Sequence, residues 1–171
     1  MRAVKRHKLK ESIFEALKLL FKNDIEIIEN RTKEECINHK FAQYLEEILK
    51  QNNILDGPTV IWHVDIEYDK YKEGEKKESK GRKIRPDIIV HQRKSGHRNN
   101  FIVIEAKKNY PEKCDMNKVI DLVNSQSYRY SLGVLVSYLP NKKYAKVKFK
   151  KDDGWEVFKI DKQTLIVLPN I

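Results

Sequence analysis

RPDIIVHQRKSGHRNNFIVIEAKK, residues 85–108, is the stretch of sequence that decides the fold. Residues 88–90 and 101–104 are short apolar runs of mostly β-branched side chains, which are typical of buried strands. Residues 94–100, which separate the two runs, are polar and include a glycine. The pattern therefore predicts two neighbouring antiparallel strands joined by a polar connection.

Charged side chains mark the ends of these two apolar strands. Because side chains alternate along a strand, Asp87 shares a face with His91, and Glu105 shares a face with Lys107. A buried charge is costly unless it is paired or bound to a metal ion. The placement of two acids and a lysine beside a core therefore indicates either an ion pair or a metal site.

Phosphodiester hydrolysis would explain these residue types. Asp87 and Glu105 offer the hard oxygen ligands that Mg²⁺ takes, and the carbonyl group of Ala106 could add a third. A bound metal lowers the pKa of water and offsets charge on a phosphate, while Lys107 could position that water or stabilise the charge. The alternative is a plain ion pair between Lys107 and one of the two acids.

The Glu-x-Lys spacing alone is weak evidence for a site. It also occurs at Glu75–Lys77 and at Glu78–Lys80, both inside a highly charged segment. Only Glu105–Lys107 ends an apolar strand and follows a strand that begins with Pro-Asp. This context favours the metal site over the ion pair.

Pro86-Asp87, followed by Glu105-Ala106-Lys107 on the next strand, resembles the signature of the PD-(D/E)XK nuclease superfamily. The superfamily includes restriction enzymes, Holliday-junction resolvases and repair nucleases, and the resemblance covers about residues 33–138. It implies an α/β fold with a restriction-endonuclease-like α-β-β-β-α-β core, a mixed central sheet flanked by helices. It also implies cleavage of DNA with Mg²⁺, for which Mn²⁺ would substitute.

A helix is predicted over residues 33–51, with Thr32 as N-cap and Glu35 completing a capping box. At 3.6 residues per turn, Glu34 projects near the middle of the apolar stripe and Glu35 lies off it. Members of the superfamily often carry a helix glutamate that reaches the metal directly or through water, so the resemblance gives Glu34 the role of auxiliary acid. The alternative is a solvent-exposed glutamate in the first turn, where acids are favoured. The stripe consists of Ile37, Phe41, Tyr44, Leu45 and Ile48.

Other residues near the motif are candidates for metal or phosphate contact. Residues 59–69 alternate as a strand does, and Glu67 or Asp65 on its polar face could supply a further acid; the alternative is a solvated face. Residues 70–83, dense in Lys and Glu, predict a solvated loop. The candidate nucleic-acid contacts are Lys83, Arg85 and Lys108, although an arginine at a strand start often pairs locally.

The rest of the chain supplies packing elements and a basic hairpin. Residues 144–151 and 155–160 flank Asp152-Asp153-Gly154, a strong hairpin signal. Lys146, Lys148 and Lys150 line one side of it, where they could follow a phosphate backbone or protect an exposed sheet edge; we favour edge protection. The other expected elements are helices over 10–22 and 115–123, a strand or connector over 24–30, a central buried strand over 132–138 and a last strand over 163–168.

Composition limits the classes of protein that fit. With 171 residues, the chain suits one domain, in which 1–30 form a helical extension, 31–139 the core and 140–171 the C-terminal strands. The net charge of +10 favours a polyanionic partner, and the resemblance favours DNA over RNA. No apolar run has transmembrane length, so no membrane partner is expected. The two cysteines form no disulfide framework, which suits a protein of the reducing cytoplasm.

The sequence thus predicts a Mg²⁺-dependent endodeoxyribonuclease. Cutting both strands of a duplex needs two sites, so a homodimer is plausible. Two alternatives remain, a catalytically silent nucleic-acid-binding module of the same fold and a protein-interaction module whose motif is coincidental.

Overall fold

A mixed seven-stranded sheet is the framework of the computed structural model, which describes residues 3–53, 62–71, 74–75, 83–93 and 100–170. The helices are α1 (Ala3–Asn23), α2 (Ile25–Glu29), α3 (Glu34–Gln51) and α4 (Lys113–Asn124). The strands are β1 (His63–Ile66), β2 (Lys70–Tyr71), β3 (Gly74–Glu75), β4 (Ile88–His91), β5 (Asn100–Lys107), β6 (Leu132–Ser137), β7 (Tyr144–Lys151), β8 (Gly154–Asp161) and β9 (Val167–Pro169). The sheet order is β1-β4-β5-β6-β7-β8-β9, and β2 pairs separately with β3.

The two strands of the 85–108 stretch are antiparallel neighbours, which confirms the prediction from their apolar runs. Ile88 lies opposite Ile104, and Val90 lies opposite Ile102. β5 is parallel to its other neighbour, β6. Parallel strands need a crossover connection, which α4 provides. The order α3, β1, β4, β5, α4, β6 is therefore helix, three sheet strands, helix, strand, and the fold is α/β with a mixed sheet.

Helices cover both faces of the central strands. On one face, α1 and α3 pack against residues such as Val90 and Ile102, with Phe41 of α3 fully buried. On the other face, Val119 and Leu122 of α4 join the second core cluster. Burial on both sides explains why β4, β5 and β6 are continuous apolar runs rather than alternating ones.

Gly133 in β6 sets how closely α4 approaches the sheet. A Cβ atom at this position would lie 2.6 Å from Cγ1 of Val119 and 2.7 Å from Cγ2 of Val123. Both distances are too short for carbon atoms, so only glycine lets the helix lie this close. The glycine therefore positions α4 on the strand next to β5.

The predicted start of α3 is wrong by one residue. Lys33, not Thr32, is the N-cap, and no side chain caps the helix, so the capping box of Thr32 and Glu35 is not formed. Thr32 is instead part of the preceding turn, where its amide donates to the carbonyl of Ile27. Arg31 beside it has a φ of 53°, which directs the chain into α3 one residue later.

Helix lengths also differ from the prediction. α1 begins at Ala3 rather than at residue 10, and residues 24–30 contain the short helix α2. Helix α4 extends the predicted 115–123 segment at both ends. None of the described helices has a stretch long and apolar enough to span a membrane.

The C-terminal hairpin is confirmed, but two related predictions are wrong. β7 pairs with β6 on one side and β8 on the other, so it is internal and its lysines do not protect an exposed edge. The last strand is confined to Val167–Pro169 because Asp161 accepts hydrogen bonds from the amides of Gln163 and Thr164, which makes those residues a turn.

Two other predicted segments are described only in part. The strand expected over 59–69 is observed as His63–Ile66, and residues 59–61 lie outside the described part of the chain. Within the charged segment 70–83, β2 and β3 form a short antiparallel pair. Residues 72–73 and 76–82 of that segment, and 94–99 between β4 and β5, also lie outside the described residues.

Candidate active site

The ammonium group of Lys107 lies among three carboxylates from three different elements. Its Nζ is 3.3 Å from Oε1 of Glu34, the first residue of α3, and 3.3 Å from Oδ2 of Asp87, which precedes β4. It is also 3.2 Å from Oε1 of Glu105, on the same face of β5. The structure thus brings together four residues that the sequence placed at one site, Glu34, Asp87, Glu105 and Lys107.

Unequal strand lengths explain how Asp87 reaches this position. The pairing of β4 with β5 stops at Ile88 and Ile104, whereas β5 continues to Lys107 beside β6. The amide of Ala106 therefore has no strand partner on the β4 side, and it donates to Oδ2 of Asp87 at 2.9 Å. The carboxylate takes the place of the missing strand and is held at the end of β5.

Glu34 is held in a similar way by the backbone that follows β5. Its Oε2 accepts a hydrogen bond from the amide of Lys108 at 2.8 Å, while Oε1 contacts the Lys107 ammonium. One oxygen therefore anchors the side chain and the other faces the cluster. The helical register of Glu34, in line with the apolar stripe of α3, accounts for this direction.

The carbonyl group of Ala106 lies on the same edge of β5 as Asp87. Along a strand, successive residues direct their backbone groups to opposite edges, and the amide and carbonyl of one residue share an edge. The carbonyl of Lys107 accepts from the amide of Tyr138, on the β6 side. The amide of Ala106 points to Asp87, so its carbonyl lies on that same side and could serve as a ligand.

Lys118 of α4 is a fifth member of the cluster, and the sequence interpretation missed it. Its Nζ lies 2.6 Å from Oε1 of Glu105. Val119 and Leu122 are the buried residues of this helix, and Lys118 comes directly before Val119 and four residues before Leu122. It therefore lies beside the face that packs on the sheet. A lysine flanking an apolar helix face was the available signal, but it becomes meaningful only once α4 is placed on β5.

Glu105 is the most strongly perturbed acid of the cluster. Its side chain is 0% exposed, and its Oε2 has no hydrogen-bond partner among the described residues. Burial, and then the charge of Asp87, raise the pKa of Glu105 to about 7, against the opposing effect of Lys118 and Lys107. A buried acid with a strongly shifted pKa beside specific charged partners is typical of functional sites.

Lys107 is held in its charged form. Burial alone would lower the pKa of its ammonium group, but the carboxylates of Asp87, Glu105 and Glu34 outweigh burial and raise that pKa above its ordinary value. With all groups ionised, three carboxylates face two ammonium groups, which leaves one negative charge in excess. The cluster therefore has capacity for more positive charge than it contains.

The donor set fits a hard divalent cation, although the described residues contain no ready-made metal site. Among the described residues, no three carboxylate, histidine or cysteine side chains are grouped closely enough to hold a metal ion by themselves. The Lys107 ammonium separates the three carboxylates, whose oxygens lie 3.2–3.3 Å from it, whereas Mg²⁺ takes oxygens at about 2.0–2.1 Å. The unpartnered Oε2 of Glu105 and the excess negative charge are the features that suit an added cation.

The remaining candidate residues lie outside this cluster. The side chain of Glu67 pairs with Arg85 at 3.3 Å, with Arg85 61% exposed and Glu67 39% exposed, so they form the local pair that was the alternative for Arg85. The Lys108 ammonium donates to the carbonyls of Arg31 and Thr32 and supports the turn before α3. Lys83 is exposed on an isolated bridge before β4.

Asp65 of β1 belongs to a separate polar group. Its carboxylate lies 2.8 Å from Nε2 of His91 and accepts from the guanidinium of Arg93. Burial would raise the pKa of Asp65, but the hydrogen bonds from His91 and Arg93 outweigh burial and lower it. Asp65 is therefore engaged as an ion-pair partner and does not join the Lys107 cluster.

Comparison with known proteins adds no relative. No protein-family model, curated protein or solved structure matches this chain. A functional assignment therefore depends on the chemistry of the cluster itself.

Proposed function

We propose that this chain is a metal-dependent nuclease that hydrolyses phosphodiester bonds in DNA. The observation that carries the proposal is the Lys107 ammonium, shared by Glu34, Asp87 and Glu105 at the end of two apolar strands. These are the residue types needed to bind a hard cation and to stabilise charge on a phosphate. The proposal extends to the restriction-endonuclease-like class that the Pro-Asp and Glu-Ala-Lys motifs resemble.

A purely structural role explains the cluster less well. Buried ion pairs are weak contributors to stability, and apolar residues of similar size would often serve as well or better. Here three acids converge, one of them 0% exposed with an oxygen that has no partner among the described residues. Keeping such charges together costs stability, which a ligand-binding role would justify.

The order of elements also supports the proposal. α3 carries Glu34, the β4 end carries Asp87 and β5 carries Glu105 and Lys107, and the following α4 and β6 complete a helix, three strands, helix, strand series. The superfamily that the motif resembles has the same series in its core. This correspondence of element order supports the proposal.

In this proposal, Asp87, Glu105 and the Ala106 carbonyl would hold Mg²⁺ or Mn²⁺, with Glu34 as an auxiliary acid. The bound ion would supply Lewis acidity, which lowers the pKa of water and offsets phosphate charge. The amide of Ala106 keeps one oxygen of Asp87 in place, and the amide of Lys108 does the same for Glu34. The backbone of β5 thereby orients two of the three acids.

The two lysines have different proposed roles. Lys107 keeps its proton because of the surrounding carboxylates, so it acts as a hydrogen-bond donor to the attacking water or to a phosphate oxygen, not as a base. Glu34 orients Lys107 through the contact at 3.3 Å. Lys118 is a positioning residue that acts on Glu105 from α4.

The test is a cleavage assay with labelled duplex DNA, single-stranded DNA, DNA junctions and RNA, each with Mg²⁺, Mn²⁺ or EDTA. We expect metal-dependent cleavage of DNA that is lost in Asp87→Asn and in Glu105→Gln. Asp152→Asn in the exposed hairpin turn and Glu35→Gln in α3 are the matched controls, since each removes one carboxylate outside the cluster. Both site variants should retain the circular dichroism spectrum of the wild type.

Cleavage at the wild-type rate by both folded site variants would overturn the proposal. Binding of nucleic acid without cleavage under any metal condition would instead identify a silent module of the same fold. Calorimetry with Mn²⁺ separates these outcomes further, because a protein-interaction module has no reason to bind the ion at Asp87 and Glu105.

A further inference from the structure

One face of the β7–β8 hairpin carries a set of lysines that the proposed site does not use. Ala145, Val147 and Phe149 of β7 are buried in the core beneath α1 and α3. The alternating residues therefore point to the opposite face, on which α4 packs against β5 and β6. The β7 residues on that face are Tyr144, Lys146, Lys148 and Lys150.

Strand register places some of these lysines in one line with the site. Lys107 lies opposite Ser137 in β6, and Ser137 lies opposite Lys146 in β7. Lys146 in turn lies opposite Lys159 in β8. Directly opposite residues share a face, and neighbouring strands are about 4.8 Å apart. Lys146 and Lys159 are therefore about 10 and 14 Å from Lys107 across the sheet.

Each of these two lysines lies over the ring of a tyrosine. The Lys146 ammonium is 5.5 Å from the centre of the Tyr110 ring, and the Lys159 ammonium is 5.0 Å from the centre of the Tyr144 ring. The hydroxyl groups of the two tyrosines are 3.3 Å apart. Tyr110, which follows Lys107 by three residues, is 49% exposed. The surface that extends from the end of β5 to β8 thus combines ammonium groups with aromatic rings.

Among the described residues, no acid neutralises the lysines of this line or the neighbouring Lys148. In the described part of the chain, no ion pair joins Lys146, Lys148 or Lys159 to a carboxylate. Burial, and then the charge of Lys146, lower the pKa of Lys148. Asp161, on the same face opposite Tyr144, accepts hydrogen bonds from two backbone amides of the next turn. The line therefore remains a positive surface.

Edge protection does not account for these residues, because β7 and β8 each have a strand on both sides. We propose that this surface binds the sugar-phosphate backbone of a nucleic-acid strand, with Lys146 and Lys159 contacting its phosphates on the path away from Lys107. The direction of the path rests on the proposed function. The charge complementarity between a polyanion and these lysines, which form no ion pair with a carboxylate of the described residues, carries the choice of partner.

The experiment measures binding of fluorescein-labelled DNA, single-stranded and duplex, to the full chain in EDTA by fluorescence anisotropy over a series of KCl concentrations. The test variant is Lys146→Gln/Lys159→Gln. The matched control is Lys18→Gln/Lys22→Gln, which removes two charges from α1 on the other side of the sheet. Lys146→Arg/Lys159→Arg keeps both charges and should retain binding.

We expect the test variant to bind more weakly than the control. The slope of log affinity against log salt should become shallower by about 1.8 for duplex or about 1.4 for single-stranded DNA, because each phosphate contact contributes about 0.9 or 0.7. If the double variant fails to fold, Lys159→Gln alone should make the slope shallower by half of that amount. Equal affinity and slope in test and control variants would overturn the inference.

Failure of this inference differs from failure of the proposed function. Metal-dependent cleavage with unchanged binding in Lys146→Gln/Lys159→Gln would overturn the binding surface and leave the nuclease standing. Lysine-dependent binding without cleavage would leave the surface standing and overturn the nuclease. A larger loss of binding to phosphatidylserine vesicles than to DNA would also overturn the inference, because the surface would then be one for lipid headgroups.

Discussion

Lys118 and Glu105 form an ion pair of 2.6 Å between helix α4 and strand β5. The Glu105 side chain is 0% exposed and that of Lys118 is 26% exposed. Both lysines of the cluster contact the same oxygen of Glu105, Oε1, while Oε2 has no partner among the described residues. The site therefore depends on the close packing of α4 against the sheet, which Gly133 permits.

Lys118→Met should destabilise the metal-free protein, because a buried carboxylate then loses one of its two cations. We expect a loss of about 1–3 kcal/mol in the free energy of unfolding, the usual cost of removing a partner from a buried polar group. The loss should be largest above pH 7, where Glu105 is ionised, and should shrink as the pH falls below 7 and Glu105 becomes protonated. Urea unfolding measures it, with Lys113→Met on the exposed side of α4 as control.

Glu105→Gln should change the pH dependence of stability in a direction fixed by linkage. The folded state raises the pKa of Glu105 from 4.5 to about 7, so the folded protein binds more protons than the unfolded chain between these values. The free energy of unfolding of the wild type should therefore fall as the pH rises from 4.5 to about 7, and the loss should persist at higher pH. Above pH 7, the free energy of unfolding of the variant should exceed that of the wild type by about 3 kcal/mol, since each pKa unit corresponds to about 1.4 kcal/mol.

That comparison uses urea unfolding of both proteins in EDTA at a series of pH values. Asp152→Asn, at an exposed turn, controls for the general effect of losing one carboxylate. A wild-type stability that rises relative to Glu105→Gln between pH 4.5 and pH 7 would contradict the raised pKa.

Local patterns were sufficient to predict the strands that carry the motif. The apolar runs around Asp87 and Glu105 and the turn at Gly154 depend on side-chain alternation and turn chemistry, which neighbouring residues determine. The position of Glu34 followed from helix periodicity, which is also local. These features required no knowledge of distant contacts.

The features that the sequence did not yield depend on distant packing. Lys118 belongs to the cluster only because α4 packs on β6 with Gly133 beneath it. Lys146 was assigned to an exposed edge because the sequence does not show that β7 has partners on both sides. Thr32 was assigned as N-cap because the capping pattern does not show that the amide of Thr32 donates to the carbonyl of Ile27 in the preceding turn.

Gly133→Ala should push α4 away from the sheet. The added Cβ would meet the branched side chains of Val119 and Val123 at 2.6 and 2.7 Å, and neither can move aside easily. We expect a loss of about 1–3 kcal/mol in the free energy of unfolding, as for other overpacked cores. The displaced helix should also weaken the contact of Lys118 with Glu105, which would lower metal-dependent cleavage.

Relieving the clash should restore part of the stability and cleavage that Gly133→Ala removes. Gly133→Ala combined with Val123→Ala relieves the contact at 2.7 Å, so thermal melting and cleavage should both recover in part. Ala145, buried under the opposite face, gives a control in Ala145→Gly, which perturbs the sheet without touching α4. Loss of cleavage in this control to the same extent would show that any destabilised sheet impairs the site.

Glu34→Gln should impair chemistry with little effect on stability. The substitution keeps an oxygen that can accept from the Lys108 amide, but it removes the negative charge that contacts Lys107. We expect a decrease of about 10–100-fold in cleavage rate or in metal affinity, the range found for groups that support metal ligands. The melting temperature should stay close to that of the wild type.

Glu35→Gln is the matched control, because the two glutamates are consecutive residues in the first turn of α3. Glu35 is exposed and caps nothing, so its charge stabilises the helix only through the dipole, by about 0.5 kcal/mol. Cleavage and metal binding should therefore stay at wild-type levels, measured by single-turnover kinetics and by Mn²⁺ calorimetry. Both variants lose one negative charge in the same helical turn, so a difference between them reports the contact with Lys107. Loss of activity in Glu35→Gln and not in Glu34→Gln would mean that α3 is rotated by one residue from the register in which Glu34 faces the cluster.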